Sequence, residues 1–363
     1  MIILAIETSC DDTCVAIVKV KSQKSGYPPS GCKSFDILSN IVSSQVKLHA
    51  KYGGVWPYLA KRKHQKNLPV VFEKARKEAK IKKLDLISVT GGPGLEPCLW
   101  VGVNFAKDLA KNLNLPIIPV NHIEAHIIAN WLSPIRSKSK IKNQKSKIIF
   151  PAICLVVSGG HTQLILMKDF LKYKILGETR DDAAGECFDK VARILGLGYP
   201  GGPIVASVAA TKIKNQKSKI KIKLPRPMIY QKNYDFSFAG LKTAVLYQYQ
   251  KSKIKNQKYK QAICVEVQQA IIDVLIYKTL KAAKNFKAKS IILGGGVTAN
   301  EELRNQFKKI IKKQLPNILY FIPNTSLCTD NAAMVAVAGY FHWLKGEREK
   351  PENIEANANL RLE

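Results

Sequence analysis

The sequence lacks any uninterrupted apolar stretch of the roughly 18 residues that a transmembrane helix needs, so it predicts no membrane span. Its eight cysteines form no Cys-x-x-Cys pair. The first residues contain no basic leader and reach a carboxylate, Glu7, too early for a secretory signal. We therefore expect a cytoplasmic protein without membrane association, whose cysteines are reduced thiols and form no disulfides.

Acidic residues are few, because 27 aspartates and glutamates stand against 58 lysines and arginines, for a net charge of +31. Much of the excess lies in three acid-free, lysine-rich tracts, residues 138–147, 212–223 and 251–260, which share the pentamer Ile-Lys-Asn-Gln-Lys. Without their 16 lysines, 42 basic residues remain and the net charge is still +15. We expect these tracts to be low-complexity insertions in surface loops, in a chain basic enough to bind a polyanion such as RNA.

The rest of the composition is typical of a globular protein: 363 residues, 46% of them hydrophobic, indicate about two domains. Residues 2–6 and 14–20 are apolar runs separated by a polar turn, and a similar pattern returns at 151–157 and 163–167. Helices alternate with short strands after each pair. This alternation predicts two α/β lobes with mostly parallel sheets covered by helices, and a nucleotide bound between the lobes.

The segment 121–126, Asn-His-Ile-Glu-Ala-His, predicts a helix that begins after Asn121. His122 and His126 are four residues apart, so both imidazoles fall on one helix face and could bind one metal ion. Ile123 stands where a zinc metalloprotease has its glutamate, which argues against a protease. Since His-x-x-x-His also arises by chance, a pair of surface or capping histidines is the alternative. Asp330, before an Ala-rich segment, is a candidate third ligand or simply the N-cap of that helix.

Two glycine-rich turns, residues 91–94 and 294–296, each follow a predicted strand and precede a predicted helix, as anion-binding turns do. Neither matches the P-loop or the dinucleotide fingerprint, so a purely structural turn is the alternative for each. A third polar turn, residues 158–161, has the sequence Ser-Gly-Gly-His. The three turns together favour phosphate binding, because glycine lets backbone amides approach a ligand closely.

Four carboxylates crowd into residues 181–189. On a helix that begins near Asp182, three of them, Asp182, Glu186 and Asp189, would share one face. Like charges on one face repel, so this pattern predicts either a solvated surface or contacts with a polar ligand such as the hydroxyls of a ribose.

Ten motifs, in order along nearly the whole chain, resemble those of the universal tRNA threonylcarbamoyladenosine synthesis family, the tRNA N6-adenosine threonylcarbamoyltransferases, formerly called O-sialoglycoprotein endopeptidases. They are Ile6-Glu-Thr-Ser-Cys-Asp-Asp-Thr13, Ser44-Gln-Val-Lys-Leu-His49, Gly92-Pro-Gly-Leu95, the His122/His126 helix, Val157-Ser-Gly-Gly-His-Thr-Gln163, residues 181–190, Tyr199-Pro-Gly-Gly-Pro203, Asp235-Phe-Ser-Phe238, residues 294–300 and Thr329-Asp-Asn331. The lysine-rich tracts and the loop 22–34 lie outside this resemblance. In one motif the family usually has an acidic residue after proline, whereas here Pro57 is followed by Tyr58.

The resemblance implies an α/β fold of the two-lobed actin/Hsp70/sugar-kinase type, with duplicated mixed-sheet domains and a central cleft. We expect an N-terminal lobe of residues 1–133, joined by the C-terminal residues 329–363, and a second lobe of residues 148–328. It also implies an acyltransferase that moves threonylcarbamoyl from threonylcarbamoyl-AMP to the N6 amine of adenosine 37. The acceptors are tRNAs that read codons beginning with A, and the products are t6A and AMP.

Family metal ligands fall on His122, His126 and Asp330, with one divalent ion per subunit, usually iron as Fe(2+); zinc or manganese would suit the same ligands. Substrate-contacting positions of the family fall on Val157, Ser158, Gly159, Gly160, His161, Asp189, Gly202 and Asn300. Because the donor is an already activated mixed anhydride, no covalent enzyme nucleophile is needed. We expect Asp11 to accept the proton of the attacking amine, and Cys10 to be a packing residue of the same turn.

The expected partners are tRNA, threonylcarbamoyl-AMP, a paralogous dimerisation subunit and a small ATPase subunit. Two alternatives compete with this interpretation. A kinase of the same fold would act on a small hydroxyl or acid substrate, but it gives no reason for a His pair and an aspartate. A non-catalytic scaffold paralogue would be expected to lack these ligands.

Overall fold

The computed structural model describes residues 1–21, 34–132, 148–211, 220, 222–253 and 256–362. The lysine-rich tract 138–147, most of 212–223 and Cys32 lie outside the described residues. The chain divides into two compact units, Met1–Ile148 with Ile322–Glu363, and Ile149–Phe321. Among the described helices, none is both long enough and apolar enough to span a bilayer.

Each unit contains one five-stranded sheet. The strands are β1 (Ile2–Glu7), β2 (Asp12–Lys21), β3 (Ser34–Ser44), β4 (Leu86–Gly92), β5 (Ile117–Asn121), β6 (Ala152–Val157), β7 (Thr162–Asp169), β8 (Lys172–Glu178), β9 (Ser290–Gly294) and β10 (Leu319–Phe321). The helices of at least four residues are α1 (Val46–His49), α2 (Pro57–Ala79), α3 (Glu96–Leu113), α4 (His122–Ile128), α5 (Ala184–Ile194), α6 (Gly201–Ala210), α7 (Ala239–Lys251), α8 (Gln257–Asn285), α9 (Glu301–Gln314) and α10 (Ala332–Leu344).

The two sheets have the same topology. In the first unit the order is β3-β2-β1-β4-β5, and in the second it is β8-β7-β6-β9-β10. The first three strands of each sheet pair antiparallel, while the remaining two extend the sheet in parallel. The expectation of mostly parallel sheets is therefore wrong, because each unit opens with a three-stranded meander. The α/β class with duplicated mixed-sheet domains is confirmed.

Helix α10 fills the centre of the first unit, although it lies far downstream in sequence. It packs against β1, β2 and β4, and its residues from Ala332 to Phe341 are all buried. Small side chains let the helix approach the sheet closely, and Gly339 lies directly over the hydroxyl of Ser88. This packing fixes the position of the residues that immediately precede the helix, including Asp330.

The third lysine-rich tract is only partly a loop over its described residues. Lys251 is the last residue of α7, and residues 257–260 form the first turn of α8, where Asn256 caps the helix by accepting the N–H of Tyr259 at 3.0 Å. The loop expectation for 251–260 is therefore wrong for Lys251 and residues 257–260, into which the flanking helices extend, while Ser252, Lys253 and Asn256 lie between the helices. The seven cysteines of the described residues are free thiols, as expected.

Candidate metal centre and substrate-binding turns

Helix α4 carries the two histidines, and its start is fixed by Asn121. The Asn121 Oδ1 accepts the N–H groups of Ile123 at 2.8 Å and Glu124 at 3.2 Å, as a helix N-cap does. All seven residues of the helix are buried. The alternative of surface or capping histidines is therefore wrong, since His122 and His126 both lie inside the first unit.

Asp330 reaches the same place from the other end of the chain. The N-cap of α10 is Asn331, whose Oδ1 accepts the Met334 N–H at 3.1 Å, so the capping role does not fall to Asp330. The Asp330 Oδ1 lies 3.2 Å from His126 Nε2 and 3.6 Å from His122 Nε2. One ligand atom from each residue lies within 4.8 Å of the others. The structure thus brings together the three residues singled out as metal ligands.

Glu7, the last residue of β1, orients His122. Its Oε2 accepts the Nδ1–H of His122 at 2.8 Å and the hydroxyl of Thr90 at 2.6 Å. Because Nδ1 is engaged in this way, the other ring nitrogen of His122 points toward Asp330. Burial disfavours the charged ring, but the Glu7 carboxylate outweighs it and raises the pKa of His122 to about 9.

His126 is buried, and neither of its ring nitrogens makes a hydrogen bond of proper geometry within the described part of the chain, although its Nε2 lies 3.2 Å from Asp330 Oδ1. Burial lowers the pKa of His126, so its ring is neutral. A neutral, buried imidazole without a hydrogen bond is costly unless a ligand takes its lone pair. Two imidazoles and a carboxylate, one imidazole being held by a second carboxylate, fit a divalent metal ion.

Asp11 lies on the turn between β1 and β2, and its Oδ2 is buried with no hydrogen-bond partner among the residues that the structure describes. Burial and the charge of Asp330 raise the pKa of Asp11. The neighbouring Asp12 also has an unpartnered buried oxygen, and burial raises its pKa to about 7. Burial likewise raises the pKa of the Cys10 thiol well above its ordinary value, in keeping with a packing role.

The glycine turn 91–94 is not an open anion site. The N–H of Gly94 donates to Ala358 O at 3.2 Å, and the N–H of Leu95 donates to Ser9 O at 2.7 Å. The Asn357 N–H donates to Gly91 O at 2.8 Å, so the C-terminal segment covers the turn. The phosphate-binding interpretation is wrong for this turn, because backbone carbonyls of the protein already occupy its amides.

The turn from Ser158 to His161 differs from it. The Ser158 N–H donates to His161 O at 2.8 Å, which closes the turn, and the hydroxyl of Ser158 accepts the His161 N–H at 3.2 Å. Gly159 and Gly160 are exposed, and their amides have no hydrogen-bond partner among the described residues. Val157, at the end of β6, is buried against Gly295, whose φ of +87° requires glycine.

The carboxylates of 181–189 have partners within the protein. Asp182 accepts from Lys190 at 2.6 Å and pairs with Lys242 at 3.0 Å, while Glu186 pairs with Lys190 at 2.9 Å. Helix α5 begins at Ala184, so Asp182 is not part of it. The expected shared helix face is therefore wrong for Asp182, and two lysines offset the charges of Asp182 and Glu186.

Three other predicted substrate positions belong to the second unit. Asp189 Oδ1 accepts the N–H of Gly201 at 2.6 Å, next to Gly202 at the start of α6. Asn300 caps α9 by accepting the N–H of Leu303 at 3.0 Å. Their contacts with a substrate stay predictions.

Sequence reasoning gave no role to Glu7, Thr90 or His64. A carboxylate at the end of an otherwise apolar strand is a signal for a buried, partnered group, and Glu7 shows it. His64 is buried on α2, and nothing in its local sequence distinguishes it from the basic residues around it.

Comparison with known proteins gives consistent matches. The sequence profile of the family described as tRNA N6-adenosine threonylcarbamoyltransferase matches residues 36–337. A protein of that name from Thermosipho africanus is 46% identical over 364 residues, which cover 100% of both chains. Another of that name from Syntrophomonas wolfei is 46% identical over 344 residues, or 94% of this chain and 92% of that protein.

Among solved structures, full-length HypF in its phosphate- and nucleotide-bound form matches with a TM-score of 0.56 and 12% identity over 95% of this chain. HypF of T. kodakarensis gives 0.54 and 14% over 95%. This chain spans about half of each HypF chain, 55% and 48%. At such low identity the likeness shows a shared fold alone.

Proposed function

The chain belongs to the tRNA N6-adenosine threonylcarbamoyltransferase family, and from this premise we propose that it transfers threonylcarbamoyl from threonylcarbamoyl-AMP to the N6 amine of adenosine 37. The acceptors would be cytoplasmic tRNAs that read codons beginning with A. The observation that carries the proposal is the convergence of His122, His126 and Asp330 within one buried site.

His122, His126 and Asp330 would hold one divalent ion, for which we propose iron as Fe(2+), although zinc and manganese suit the same donor atoms. The bound ion would stabilise negative charge on the phosphate of the leaving AMP. Glu7 keeps the ring of His122 in place for this role, because it holds the Nδ1–H at 2.8 Å.

Bond making and breaking in the transfer balance without an added reactant. The adenine N6 attacks the carbonyl carbon of the threonylcarbamoyl group, and a C–N bond forms. The bond from that carbon to the phosphate oxygen breaks, and AMP leaves with the electron pair. Asp11 accepts the proton that N6 loses, a role supported by its unpartnered buried oxygen and its raised pKa. Since the amine is a weak nucleophile, orientation supplies much of the acceleration.

The adenylate phosphate would bind to the turn at the end of β6, which is formed by Val157, Ser158, Gly159, Gly160 and His161. Its support is the exposed pair of glycine amides, which resemble a small anion-binding nest. Asp189, Gly202 and Asn300 would complete the nucleotide site. We further propose that the active assembly includes a paralogous dimerisation subunit and a small ATPase subunit.

A reconstituted transfer assay tests the proposal. Purified protein, unmodified tRNA, the donor and the partner subunits should produce AMP and t6A in equal amounts. Formation of a phosphorylated small molecule would indicate the kinase alternative, and the absence of any turnover would indicate a scaffold.

A variant series identifies the base. Asp11→Asn should abolish transfer and leave metal content unchanged, whereas Asp36→Asn, in an exposed ion pair with Lys21, should behave as wild type. Because the pKa of Asp12 is raised to about 7, Asp12→Asn separates the two neighbours. Near-normal turnover of Asp11→Asn together with inactivity of Asp12→Asn would transfer the role to Asp12.

A further inference from the structure

Three large aromatic side chains are exposed within seven residues of the first unit, between α1 and the first turn of α2. Tyr52 is 54% exposed, Trp56 is 55% exposed and Tyr58 is 67% exposed. The rings of Tyr52 and Trp56 contact each other, with centroids 5.7 Å apart. We call these three residues the aromatic surface. Single exposed aromatic residues are ordinary, whereas such a cluster indicates a binding surface.

The aromatic surface lies in the most uniformly basic part of the described first unit. Residues 37–72 contain no aspartate or glutamate, and residues 45–72 contain six lysines and arginines. Lys47, Lys51 and Arg62 are exposed, and none of them pairs with a carboxylate among the described residues. Unpaired cations around aromatic rings complement a polyanion whose bases can stack.

Hydrogen bonds tie this segment to the turn that carries Asp11. The Gln45 N–H donates to Asp11 O at 3.1 Å, and the Gln45 side chain donates to Ala60 O at 3.4 Å in α2. His49, one helical turn after Gln45, accepts the N–H of Trp56 at 3.3 Å. The aromatic surface is therefore held to the turn whose aspartate we propose as the base.

A second tie comes from His64, which is buried on α2. Its Nε2 donates to Cys10 O at 2.9 Å, and its Nδ1 lies 2.8 Å from the hydroxyl of Thr13. Burial lowers the pKa of His64, so the ring is neutral and can accept the Thr13 hydroxyl while it donates to Cys10. Helix α2, which carries Tyr58, is thus attached to the turn at Cys10 and to the beginning of β2 at Thr13.

We propose that the aromatic surface binds the unpaired nucleotides that flank the acceptor adenosine of the tRNA. This inference rests on the proposed function. The aromatic rings would stack on exposed bases, while Lys47, Lys51 and Arg62 would neutralise neighbouring phosphates. Tyr58 stands where the family usually has an acidic residue, so in this chain one negative charge is replaced by one stacking group.

An RNA fits this surface better than a protein does. The buried centres of protein interfaces are depleted in lysine, whereas here exposed lysines and an arginine lie within a few residues of the rings along the chain. Base stacking, in contrast, tolerates any base and is accompanied by phosphate contacts.

Binding of unmodified tRNA to the purified chain, measured by fluorescence anisotropy, tests the inference. Tyr52→Ala, Trp56→Ala and Tyr58→Ala should each weaken binding about tenfold, because one stacked base is lost. Tyr58→Phe should bind as wild type, since the ring is kept. Tyr247→Ala, at a residue of α7 that is 58% exposed, is the matched control in the second unit. Unchanged melting temperatures show that the variants fold.

A duplex RNA without unpaired bases separates stacking from charge. It should bind all variants equally. The inference is overturned if the alanine variants bind tRNA as tightly as wild type, or if the wild-type chain binds no tRNA. It is also overturned if the alanine substitutions weaken binding of the duplex as much as they weaken binding of tRNA. If the alanine variants no longer bind the paralogous subunit but bind tRNA as tightly as wild type, the surface binds a protein, and the inference is overturned as well.

The transfer assay distinguishes failure here from failure of the proposed function. In the reconstituted enzyme, the alanine variants should raise KM for tRNA about tenfold and leave kcat unchanged, because the surface binds RNA without touching the reacting atoms. If the wild-type enzyme makes t6A and the variants have the same KM for tRNA, only the proposed role of the aromatic surface is contradicted. If the variants bind tRNA more weakly but the wild-type enzyme forms no t6A, only the proposed transfer reaction is contradicted.

Discussion

Glu7 shows how much of the site depends on a residue that is not itself a ligand. It is buried at the end of β1, and its carboxylate fixes the ring of His122 through the Nδ1–H. Second carboxylates of this kind orient histidine ligands and strengthen metal binding.

Replacing Glu7 should therefore weaken metal binding. We expect Glu7→Ala to reduce metal affinity about 10- to 100-fold, and Glu7→Gln, which can still accept the Nδ1–H, to lose less. Titration of the metal-free protein with Mn(2+) measures this, with Glu96→Ala, at an exposed residue in the first turn of α3, as control. Equal affinity of all the variants would show that His122 does not need its carboxylate.

Lys278 is a second buried polar residue, in the second unit. Its Nζ donates to Asn233 O at 3.2 Å, and its side chain is excluded from solvent. Burial lowers the pKa of Lys278 from 10.5 to about 8, with smaller effects from Lys281, Asp235 and Arg180. Below pH 8 the folded protein carries a desolvated charge that the unfolded chain solvates better.

The buried charge of Lys278 makes the stability of the folded protein depend on pH. Between pH 8 and about 10.5 the unfolded chain binds more protons at Lys278, so the stability of wild type should rise with pH relative to Lys278→Met. Urea unfolding of both proteins at pH 7 and pH 10 measures the difference. A constant difference between these two pH values would contradict the buried charge.

Single residues also show where sequence reasoning succeeds. His122 and His126 could be predicted from the sequence because four-residue spacing on a helix is a local pattern. Asp330 could be predicted because a family motif contains it. The lysine partners of Asp182 were not accessible, since Lys242 is 60 residues away and only the fold brings it close. The turn 91–94 was misjudged for the same reason, because the acceptor of the Gly94 N–H is the carbonyl of Ala358, which is 264 residues away.

At the scale of elements, the contact between the C-terminal segment and the turn after β4 is a sharp constraint. A Cβ on Gly92 would lie 1.9 Å from Asn357 O, and its φ is +155°. The segment could cover the turn only where no side chain intervenes.

Gly92→Ala should therefore lower the free energy of unfolding by at least about 2 kcal/mol, since both the clash and the backbone conformation oppose a side chain. Gly54→Ala is the control, because nothing lies within 4 Å of its added Cβ. Chemical denaturation measures both, and equal stability would mean that the segment lifts away without cost.

Helix α10 is attached to α4 near both of its ends. Asp330 precedes the helix at one end, and at the other His342 Nε2 lies 2.6 Å from Glu124 Oε2, while its Nδ1 lies 2.6 Å from Glu347 Oε2. Burial opposes the charged ring, but the two carboxylates raise the pKa of His342 to about 9.

The stabilisation from protonated His342 should be fully present below pH 6.5 and lost as the pH rises through about 9, because the folded state holds the proton more tightly. We expect His342→Gln to cost about 1–2 kcal/mol at pH 6, and to cost progressively less toward pH 9.5. Thermal melts across this range measure the effect. If the stability difference between wild type and His342→Gln grows as the pH rises, protonated His342 does not stabilise the folded protein.

Strands with strong local patterns were predictable to within about two residues, because the apolar runs 2–6, 14–20 and 151–157 correspond to β1 (Ile2–Glu7), β2 (Asp12–Lys21) and β6 (Ala152–Val157). Strand β8 and helices α6 and α7 were not anticipated. Strand β8 alternates lysine with apolar residues at the sheet edge, and α6 begins at a Gly-Gly-Pro sequence that favours a turn by itself. Burial against neighbours, and not local preference, decides their conformation.

At the scale of the whole molecule, the three proposed metal ligands, His122, His126 and Asp330, all belong to the first unit. A ligand stabilises the part of a protein that binds it. We therefore expect Mn(2+) to slow amide hydrogen exchange in β1, α4 and α10 and to leave β6 and β9 unchanged. Hydrogen exchange measured by mass spectrometry, with Ca(2+) as a control ion that prefers oxygen ligands, resolves the two units. Equal protection of both units would show that they open together.

The matching strand order of the two sheets has an evolutionary consequence. Two domains with one topology are what tandem duplication of an ancestral gene leaves behind, and each copy retains a turn after its first strand. In the first unit this turn carries Asp11 close to the proposed cation site, while in the second unit it carries the exposed glycines Gly159 and Gly160. Under the proposed function, one copy of the turn would serve acid–base chemistry and the other would serve nucleotide binding, so that neither role constrains the sequence needed for the other.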